Sequence, residues 1–318
     1  MRIALINDYQ DVARTSADWA SLPAGTEVVA FHDHVEDEDT LVERLRDFDV
    51  VVGVRQRVQF RRSLLEQLPN LKLLMNGGGP AIDGAAARDL GITLCTLGGT
   101  NTATAEQAWA LLLALARNVV QEDRAMREGR WQTTMGVGLE RSTLGVVGLG
   151  NLGGQVAAYG KAFGMNVIAW SRSLTPERAE EKGATLVTKD EVFERSDFIS
   201  VHVSLSDASR GLIGARELGL MKPTAYIVNT SRGPIIEEAA LLAALKERRI
   251  AGAGLDVFDV EPIPHDHPFL ALDNVVLAPH LGFVTKQSYG IFYRHAVENI
   301  AAYIAGAPIR VIAPPPVA

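Results

Sequence analysis

The sequence predicts an α/β protein with two domains, each a doubly wound parallel β-sheet with helices on both faces. Three observations support this prediction. Short apolar runs alternate with amphipathic stretches in residues 1–98 and again in residues 144–280. A glycine-rich turn, GLGNLG, follows the first apolar run of the second region. A long stretch with a broad apolar face separates the two regions, and 318 residues suffice for two domains.

In the first region, apolar runs predict strands and amphipathic stretches predict helices. The predicted strands are Ile3–Ile6, Val28–Phe31, Val50–Val54, Leu71–Met75 and Ile92–Leu94, and the helices are Glu38–Arg46, Arg62–Gln67 and Ile82–Asp89. Thr102–Val120 then reads as one long helix that crosses between the domains. Gln121–Trp131 reads as a polar helix, with a loop up to Arg141, and this segment is either a dimer contact or a solvated face.

The second region repeats the alternation. Its predicted strands are Leu144–Val147, Val167–Trp170, Thr185–Val187, Phe198–Val203, Ala225–Val228, Gly252–Asp256 and Val275–Leu277. Its predicted helices are Val156–Phe163, Pro176–Lys182, Lys189–Glu194, Ala215–Leu220 and Glu237–Arg248. A last helix over 285–304 is long enough to return to the first domain.

Composition narrows the function classes. A net charge of −7 argues against nucleic acid or an anionic membrane as the main partner. Cys95 is the only cysteine, so a disulfide framework or a cysteine metal cluster is excluded. The chain enters its first strand without a signal-peptide pattern, and its longest apolar stretch, Ala108–Ala116, is too short for a bilayer. We expect a cytoplasmic protein.

The glycine-rich turn has the strand–turn–helix order of a dinucleotide site. Gly148 would permit the tight turn, Gly150 would let a pyrophosphate approach the backbone, and Gly153 would let the helix pack near the strand. The N-terminus of the helix that follows the turn would offer N–H groups to the phosphates. A second strand follows at the spacing of a βαβ unit, which favours this interpretation over an ordinary turn.

Three loops at predicted strand ends contain polar residues that fit acid–base chemistry. Arg232, Glu261 and His280 would converge on the sheet edge where ligands bind in open α/β sheets. Arg232 can hold a carboxylate at two points and polarise the adjacent carbonyl. His280 can exchange the hydroxyl proton near neutral pH, and Glu261 can orient the imidazole and favour its charged form.

Five segments resemble the D-isomer-specific 2-hydroxyacid dehydrogenase family, which includes phosphoglycerate dehydrogenases, hydroxypyruvate/glyoxylate reductases and D-lactate dehydrogenases. They are GLGNLGGQVA, HVSLSDASRGLI (202–213), NTSRGPIIEEAAL (229–241), AGLDVFDVEP (253–262) and NVVLAPHLG (274–282). The resemblance covers nearly the whole chain. It implies hydride transfer between NAD(P)H and a small 2-oxo acid of the glyoxylate or hydroxypyruvate type, giving the D-2-hydroxy acid.

The resemblance also implies the domain plan and the site. A Rossmann nucleotide domain, 99–283, would be inserted into a flavodoxin-like substrate domain, 1–98 with 284–318, and members usually form homodimers through the nucleotide domain. The implied catalytic residues are Arg232, Glu261 and His280. The cofactor residues would be Gly148, Gly150, Asn151, Leu152, Gly153, Ser171, Arg172, Val203, Thr230, Asp256 and Gly282, with Asp256 near the nicotinamide carboxamide.

Two segments depart from the family pattern. NAD-dependent members have an acidic residue after the second nucleotide-domain strand, whereas this chain has Ser171-Arg172, as in NADP-using members. We therefore favour NADP over NAD, with a solvated Arg172 and a relaxed cofactor choice as the alternative.

The second departure is in the substrate-domain loop, which is shorter than usual. Its residues Gly77, Gly78 and Gly79 are either a cradle for the substrate carboxylate or a flexible turn. Arg55 matches a family position near the substrate, and a surface role fits it equally well.

Other functions compete with the dehydrogenase. A non-catalytic NAD(H)-sensing interaction protein would keep the same three polar residues, and a related dehydrogenase would act on another small anion, such as formate or phosphite. Metal catalysis is a weaker hypothesis. The His32-Asp33-His34 and His265-Asp266-His267 segments lack the i,i+4 pairing of helical metal ligands, so we assign them to solvated turns and predict no metal site.

Overall fold

A computed structural model describes residues 1–54, 57–76, 81–99 and 102–312. The chain forms two compact units. The first comprises Met1–Thr100 together with Thr285–Ala318, and the second is Asn101–Val284. The second unit is therefore a continuous segment inserted into the first.

The first unit contains a five-stranded sheet in which every strand pair is parallel. Its strands are β1 (Arg2–Ile6), β2 (Glu27–Ala30), β3 (Val50–Gly53), β4 (Leu73–Asn76) and β5 (Thr93–Cys95). Their order is β2-β1-β3-β4-β5, which is the flavodoxin-like order. The central strand β3 is buried along its whole length, as expected for a parallel strand covered on both faces.

Three short helices of this unit follow β2, β3 and β4. They are α1 (Glu38–Leu45), α2 (Arg62–Leu65) and α3 (Gly84–Asp89). Asp37 and Asp83 cap the first and third of these, each accepting a backbone N–H bond at the helix N-terminus. The same unit receives the last helix of the chain, given below.

In the second unit, helices and strands alternate around a larger sheet. The helices are α4 (Thr102–Ala116), α5 (Val119–Arg127), α6 (Asn151–Ala162), α7 (Pro176–Glu181), α8 (Lys189–Arg195), α9 (Ala215–Leu220) and α10 (Glu238–Lys246). The strands are β6 (Thr143–Val147), β7 (Asn166–Trp170), β8 (Thr185–Leu186), β9 (Phe198–Val201), β10 (Tyr226–Asn229), β11 (Gly252–Leu255) and β12 (Val275–Leu277).

These seven strands are parallel and run in the order β12-β11-β10-β9-β6-β7-β8. The order reverses between β6 and β9, so β6 and β7 lie on one side of the reversal and β9 to β12 on the other. This is the Rossmann order with one strand added, and ligands bind outside the carboxyl ends of such strands. The predicted fold class is confirmed.

The final helix, α11 (Lys286–Ile304), belongs to the first unit. Thr285 caps it by accepting the N–H of Ser288. One face buries Phe292 and Tyr293, and Asn299 donates a hydrogen bond to the Thr96 carbonyl beside β5. The helix therefore fixes the end of β5 in its own unit.

The prediction of a single helix over 102–120 is wrong. The chain leaves α4 after Ala116 and turns at Asn118, whose φ is +52°, before α5 begins. Asparagine tolerates this left-handed conformation, because its short polar side chain can bond locally. In this structure the Asn118 side chain bonds outside its own turn, donating to the Met135 carbonyl. Val119 and Val120, which would extend the apolar face of α4, are exposed as a result.

The predicted start of α6 at Val156 is also wrong. The helix begins at Asn151, directly after Gly150, so it takes in two glycines that weaken a helix elsewhere. At Gly153 a Cβ would lie 2.0 Å from the Gly148 carbonyl oxygen. Close packing against the turn outweighs the low helix propensity of glycine.

Candidate active site

The glycine-rich turn joins β6, which lies beside the central strand of the larger sheet, to α6. Gly148 has a φ of +99°, and a Cβ there would come within 2.7 Å of the His202 carbonyl group. At Gly150, by contrast, a Cβ would meet nothing within 4 Å. The first helical bond of α6 runs from the Gly154 N–H to the Gly150 carbonyl, so the N–H groups of Asn151 and Leu152 precede the helical ladder. These features fit a bound pyrophosphate.

Ser171 and Arg172 follow β7, next to this turn. The Ser171 hydroxyl accepts a hydrogen bond of 2.9 Å from the Leu149 N–H, so this side chain joins the end of β7 to the glycine turn. Arg172 is exposed. Of the two residues predicted to hold a 2′-phosphate, Arg172 is the one that faces solvent.

His202, a residue that the sequence patterns did not single out, lies at the end of β9. Its Nε2 forms a 2.7 Å hydrogen bond with the Ser200 hydroxyl, and its buried Nδ1 meets no partner among the residues that the structure describes. Burial lowers the pKa of His202 to about 4, which keeps the imidazole neutral. Its neighbour Val203 would lie 2.9 Å from a Cβ at Gly148, which places Val203 beside the glycine turn.

The loop after β10 holds Thr230 and Arg232. Asn229 shapes it, because its side chain accepts the Ser231 N–H and donates to the Arg232 carbonyl, each at 3.0 Å. Thr230 is buried, and its hydroxyl has no hydrogen-bond partner within the described ranges. Burial lowers the pKa of the Arg232 guanidinium, while the negative charge of Glu261 opposes that shift. Arg232 and Glu261 are thus electrostatic neighbours.

Glu261 and His280 are in direct polar contact. His280 Nδ1 lies 2.5 Å from Glu261 Oε2, and the other oxygen, Oε1, accepts the Phe258 N–H at 2.9 Å. Burial raises the pKa of Glu261, but its bonds to His280 and Phe258 and the charge of Arg232 leave it below the ordinary value. The carboxylate is therefore ionised and can balance a charged imidazole.

Asp256, at the end of β11, holds the turn that follows His280. Its Oδ1 accepts the Leu281 N–H at 2.7 Å and its Oδ2 accepts the Gly282 N–H at 2.8 Å. Asp256 is fully buried, and burial raises its pKa to about 6. His280 itself has a φ of +54°, so the turn holds a histidine in a conformation that L-residues rarely adopt.

The structure thus brings together most of the predicted site residues at the carboxyl edge of one sheet. Predictions for Arg55, Gly77, Gly78 and Gly79 lie outside the described residues.

The solvated-turn assignment is wrong for His267. Its Nε2 bonds Glu238 at 3.0 Å, and its Nδ1 accepts the Phe269 N–H. His32 lies near Asp8 and Asp11, but both Asp8 oxygens already accept backbone N–H bonds.

A family model described as the NAD binding domain of D-isomer specific 2-hydroxyacid dehydrogenases matches residues 109–282. The chain belongs to this family. The match spans the glycine turn and the three loops at the strand ends, so the recognition made from the sequence motifs is confirmed.

Similar proteins include a glyoxylate reductase and a D-3-phosphoglycerate dehydrogenase. A glyoxylate reductase of Aeropyrum pernix is 41% identical over 84% of this chain and 83% of its own length. A D-3-phosphoglycerate dehydrogenase of Archaeoglobus fulgidus is 38% identical over 86% of this chain, but over 52% of its own length. The solved structure of a phosphoglycerate oxidoreductase from Vibrio cholerae superposes with a TM-score of 0.91 at 36% identity, covering 96% of this chain and all of that one.

The chain is therefore an NAD(P)-linked oxidoreductase of the 2-hydroxyacid dehydrogenase family. Among the residues that the structure describes, no helix is both long and apolar enough to cross a membrane.

Proposed function

We propose that this protein reduces a small 2-oxo acid, with glyoxylate and hydroxypyruvate as the first candidates. The product is the 2-hydroxy acid, of D configuration where the new centre is chiral. The 2.5 Å contact between His280 and Glu261 is the observation that carries the proposal, because a carboxylate-held imidazole is suited to proton exchange with a substrate oxygen. The relatives named glyoxylate reductase support the choice of substrate class.

His280 is the proton donor of the reduction in this proposal. Glu261 holds Nδ1 and stabilises the positive charge of the protonated ring, so the proton for the substrate comes from Nε2. In the reverse reaction the same nitrogen takes the hydroxyl proton. The φ of +54° at His280 is consistent with a turn shaped to aim the ring.

Arg232 binds the substrate in this proposal. Its half-buried guanidinium lies at the edge that also carries Glu261 and His280, and burial strengthens its interaction with an anion. A planar guanidinium can grip the substrate carboxylate at two points and draw electron density from the adjacent carbonyl. The bound nicotinamide ring would supply the hydride.

The nicotinamide absorbance of NADPH and NADH tests this function. The purified chain is mixed with glyoxylate, hydroxypyruvate, pyruvate or a longer branched 2-oxo acid. We expect oxidation of the reduced cofactor, fastest with the shortest acids. Tight cofactor binding without turnover of any acid would refute the proposal, and turnover of formate or phosphite with NAD(P)⁺ would replace it.

We propose that NADP is the preferred cofactor, with Arg172 as the residue that contacts the 2′-phosphate. Its exposure beside the glycine turn supports this assignment. Arg172→Asp should lower kcat/KM for NADPH about tenfold or more and change it little for NADH, because the carboxylate repels the phosphate. Calorimetric titration with 2′,5′-ADP gives a readout independent of turnover. Equal affinity of the wild type for 2′,5′-ADP and for 5′-AMP, which lacks only the 2′-phosphate, would contradict the preference.

We also propose a homodimer in the cytoplasm. The segment after α5 exposes Trp131 by 73% and Met135 by 91%, and two large exposed apolar side chains in one short segment support an interaction surface there. Light scattering after size-exclusion chromatography should give twice the chain mass of 34.3 kDa. A monomer mass at micromolar concentration would contradict the dimer.

The proposed location in the cytoplasm is supported by Cys95, because a buried, unpaired cysteine is consistent with a reducing compartment.

A further inference from the structure

The turn after His280 is held from two directions. Asp256 accepts its Leu281 and Gly282 N–H groups from the β11 side. From the α4 side, the Thr104 hydroxyl donates a 2.9 Å hydrogen bond to the Gly282 carbonyl. Both the N–H and the C=O of Gly282 are therefore hydrogen-bonded. A turn that keeps His280 at a positive φ needs such restraints.

A second α4 residue contacts Asp256 itself. Gln107 Nε2 donates to Asp256 Oδ1 over 3.4 Å, and that oxygen also accepts the Leu281 N–H. Thr104 and Gln107 are three residues apart on the helix, so both side chains lie on the same face. That face of α4 therefore contacts the His280 turn directly at Gly282 and indirectly through Asp256.

The helix is a rigid base for these contacts. It has 15 residues, and its apolar side buries Leu112 and Leu115. It also lies directly against β11, because a Cβ at Gly254 would come within 3.1 Å of Leu111 Cβ. The strand that ends at Asp256 and the helix that carries Thr104 are thus packed together.

We propose that Thr104 and Gln107 are positioning residues that hold the His280 turn for proton transfer. Neither residue needs to touch the substrate for this role. They fix the backbone on which the imidazole is mounted, and the 2.5 Å contact with Glu261 then sets the direction of the ring. The inference rests on the proposed function, because it gives these residues a part in the His280 chemistry.

Thr104→Val tests the first contact, because valine keeps the shape and removes the hydroxyl. A displacement of about 1 Å at a catalytic group costs up to about a hundredfold in rate, so we expect kcat to fall about tenfold to a hundredfold. The KM of the oxo acid and the Kd of NADPH, from fluorescence, should stay within about threefold, because the proposal gives Thr104 no substrate or cofactor contact.

Two further variants are the controls. Thr104→Ser retains the hydroxyl and should restore most of kcat. Thr102→Val makes the same replacement at the exposed first residue of the helix and should behave as the wild type. A general packing defect would instead lower the Tm and raise the KM together, without recovery of kcat in the serine variant.

If Thr104→Val folds poorly, Gln107→Leu tests the proposed positioning role instead. Its contact is longer, so we expect a smaller loss of kcat, about threefold to tenfold, again with little change in KM. Wild-type kcat in folded Thr104→Val and Gln107→Leu, with an active wild-type enzyme, would refute this inference alone. A wild type that reduces none of the acids would refute the proposed function and this inference with it.

Discussion

Replacement of Glu261 by glutamine tests the central pair most directly. Both carboxylate oxygens are acceptors, one for His280 Nδ1 and the other for the Phe258 N–H. Glutamine has a single oxygen, so it cannot satisfy both donors. If its NH2 group faces Phe258, two N–H donors oppose each other. If its NH2 group instead faces His280, it donates to Nδ1, and the ring proton must then be on Nε2. In both cases the negative charge is lost.

The size of the effect follows from that contact. A hydrogen bond to a charged group contributes about 1.5–3 kcal/mol, which corresponds to a loss of about tenfold to 150-fold in kcat/KM. The loss should fall mainly on kcat, because the charged imidazole is needed for proton transfer more than for binding. The NADPH Kd should remain within about threefold, since Glu261 follows β11 and the glycine turn follows β6.

The chain offers a matched control. Glu238 makes a comparable 3.0 Å contact with His267 that has no part in the proposed chemistry. Steady-state kinetics of Glu261→Gln and Glu238→Gln, with Tm measured for both, separate catalysis from folding. Glu238→Gln should keep kcat within about twofold. If Glu261→Gln also kept kcat/KM within about threefold at unchanged Tm, the proposed role of the pair would be refuted.

Three other outcomes are expected. His280→Ala should lower kcat by about a hundredfold or more while the NADPH Kd stays near wild type, and an equal loss of both would make His280 structural. Arg232→Lys should lower kcat/KM about tenfold to a hundredfold, since an ammonium lacks the planar two-point grip, and near-normal kinetics would contradict that role. Burial raises the pKa of Asp256 to about 6, so protonation of Asp256 on acidification should weaken its hydrogen bonds to the His280 turn. We therefore expect kcat, measured from pH 8 to pH 5, to fall through about pH 6. A flat pH profile would count against this role of Asp256.

Much of the fold follows from local pattern. The alternation of apolar runs with amphipathic stretches predicts a parallel sheet, and most predicted strands lie within a residue or two of the observed ones. Two glycines of the turn are also explained by sterics. Gly148 and Gly153 stand where a Cβ would strike backbone atoms, so the sequence pattern reports a steric requirement.

Other features depend on partners that are distant in sequence. Thr104 and Gly282 are 178 residues apart, so no local pattern indicates that α4 would hold the His280 turn. The Ser171 hydroxyl accepts the Leu149 N–H, a contact across 22 residues that forms because β7 ends beside the glycine turn. The helix break at Asn118 depends on a backbone conformation that asparagine allows but does not require.

The strand order places the residue proposed to select the cofactor far from the pair proposed to transfer the proton. Arg172 follows β7, whereas Glu261 follows β11, and the strands between them are β6, β9 and β10. At about 4.8 Å per step, four strand spacings amount to roughly 19 Å. Under the proposed assignments, a change at Arg172 that alters the choice of nicotinamide cofactor therefore lies far from the Glu261–His280 pair. In such an architecture, adaptation to a different cellular nicotinamide pool can proceed independently of the carbonyl chemistry.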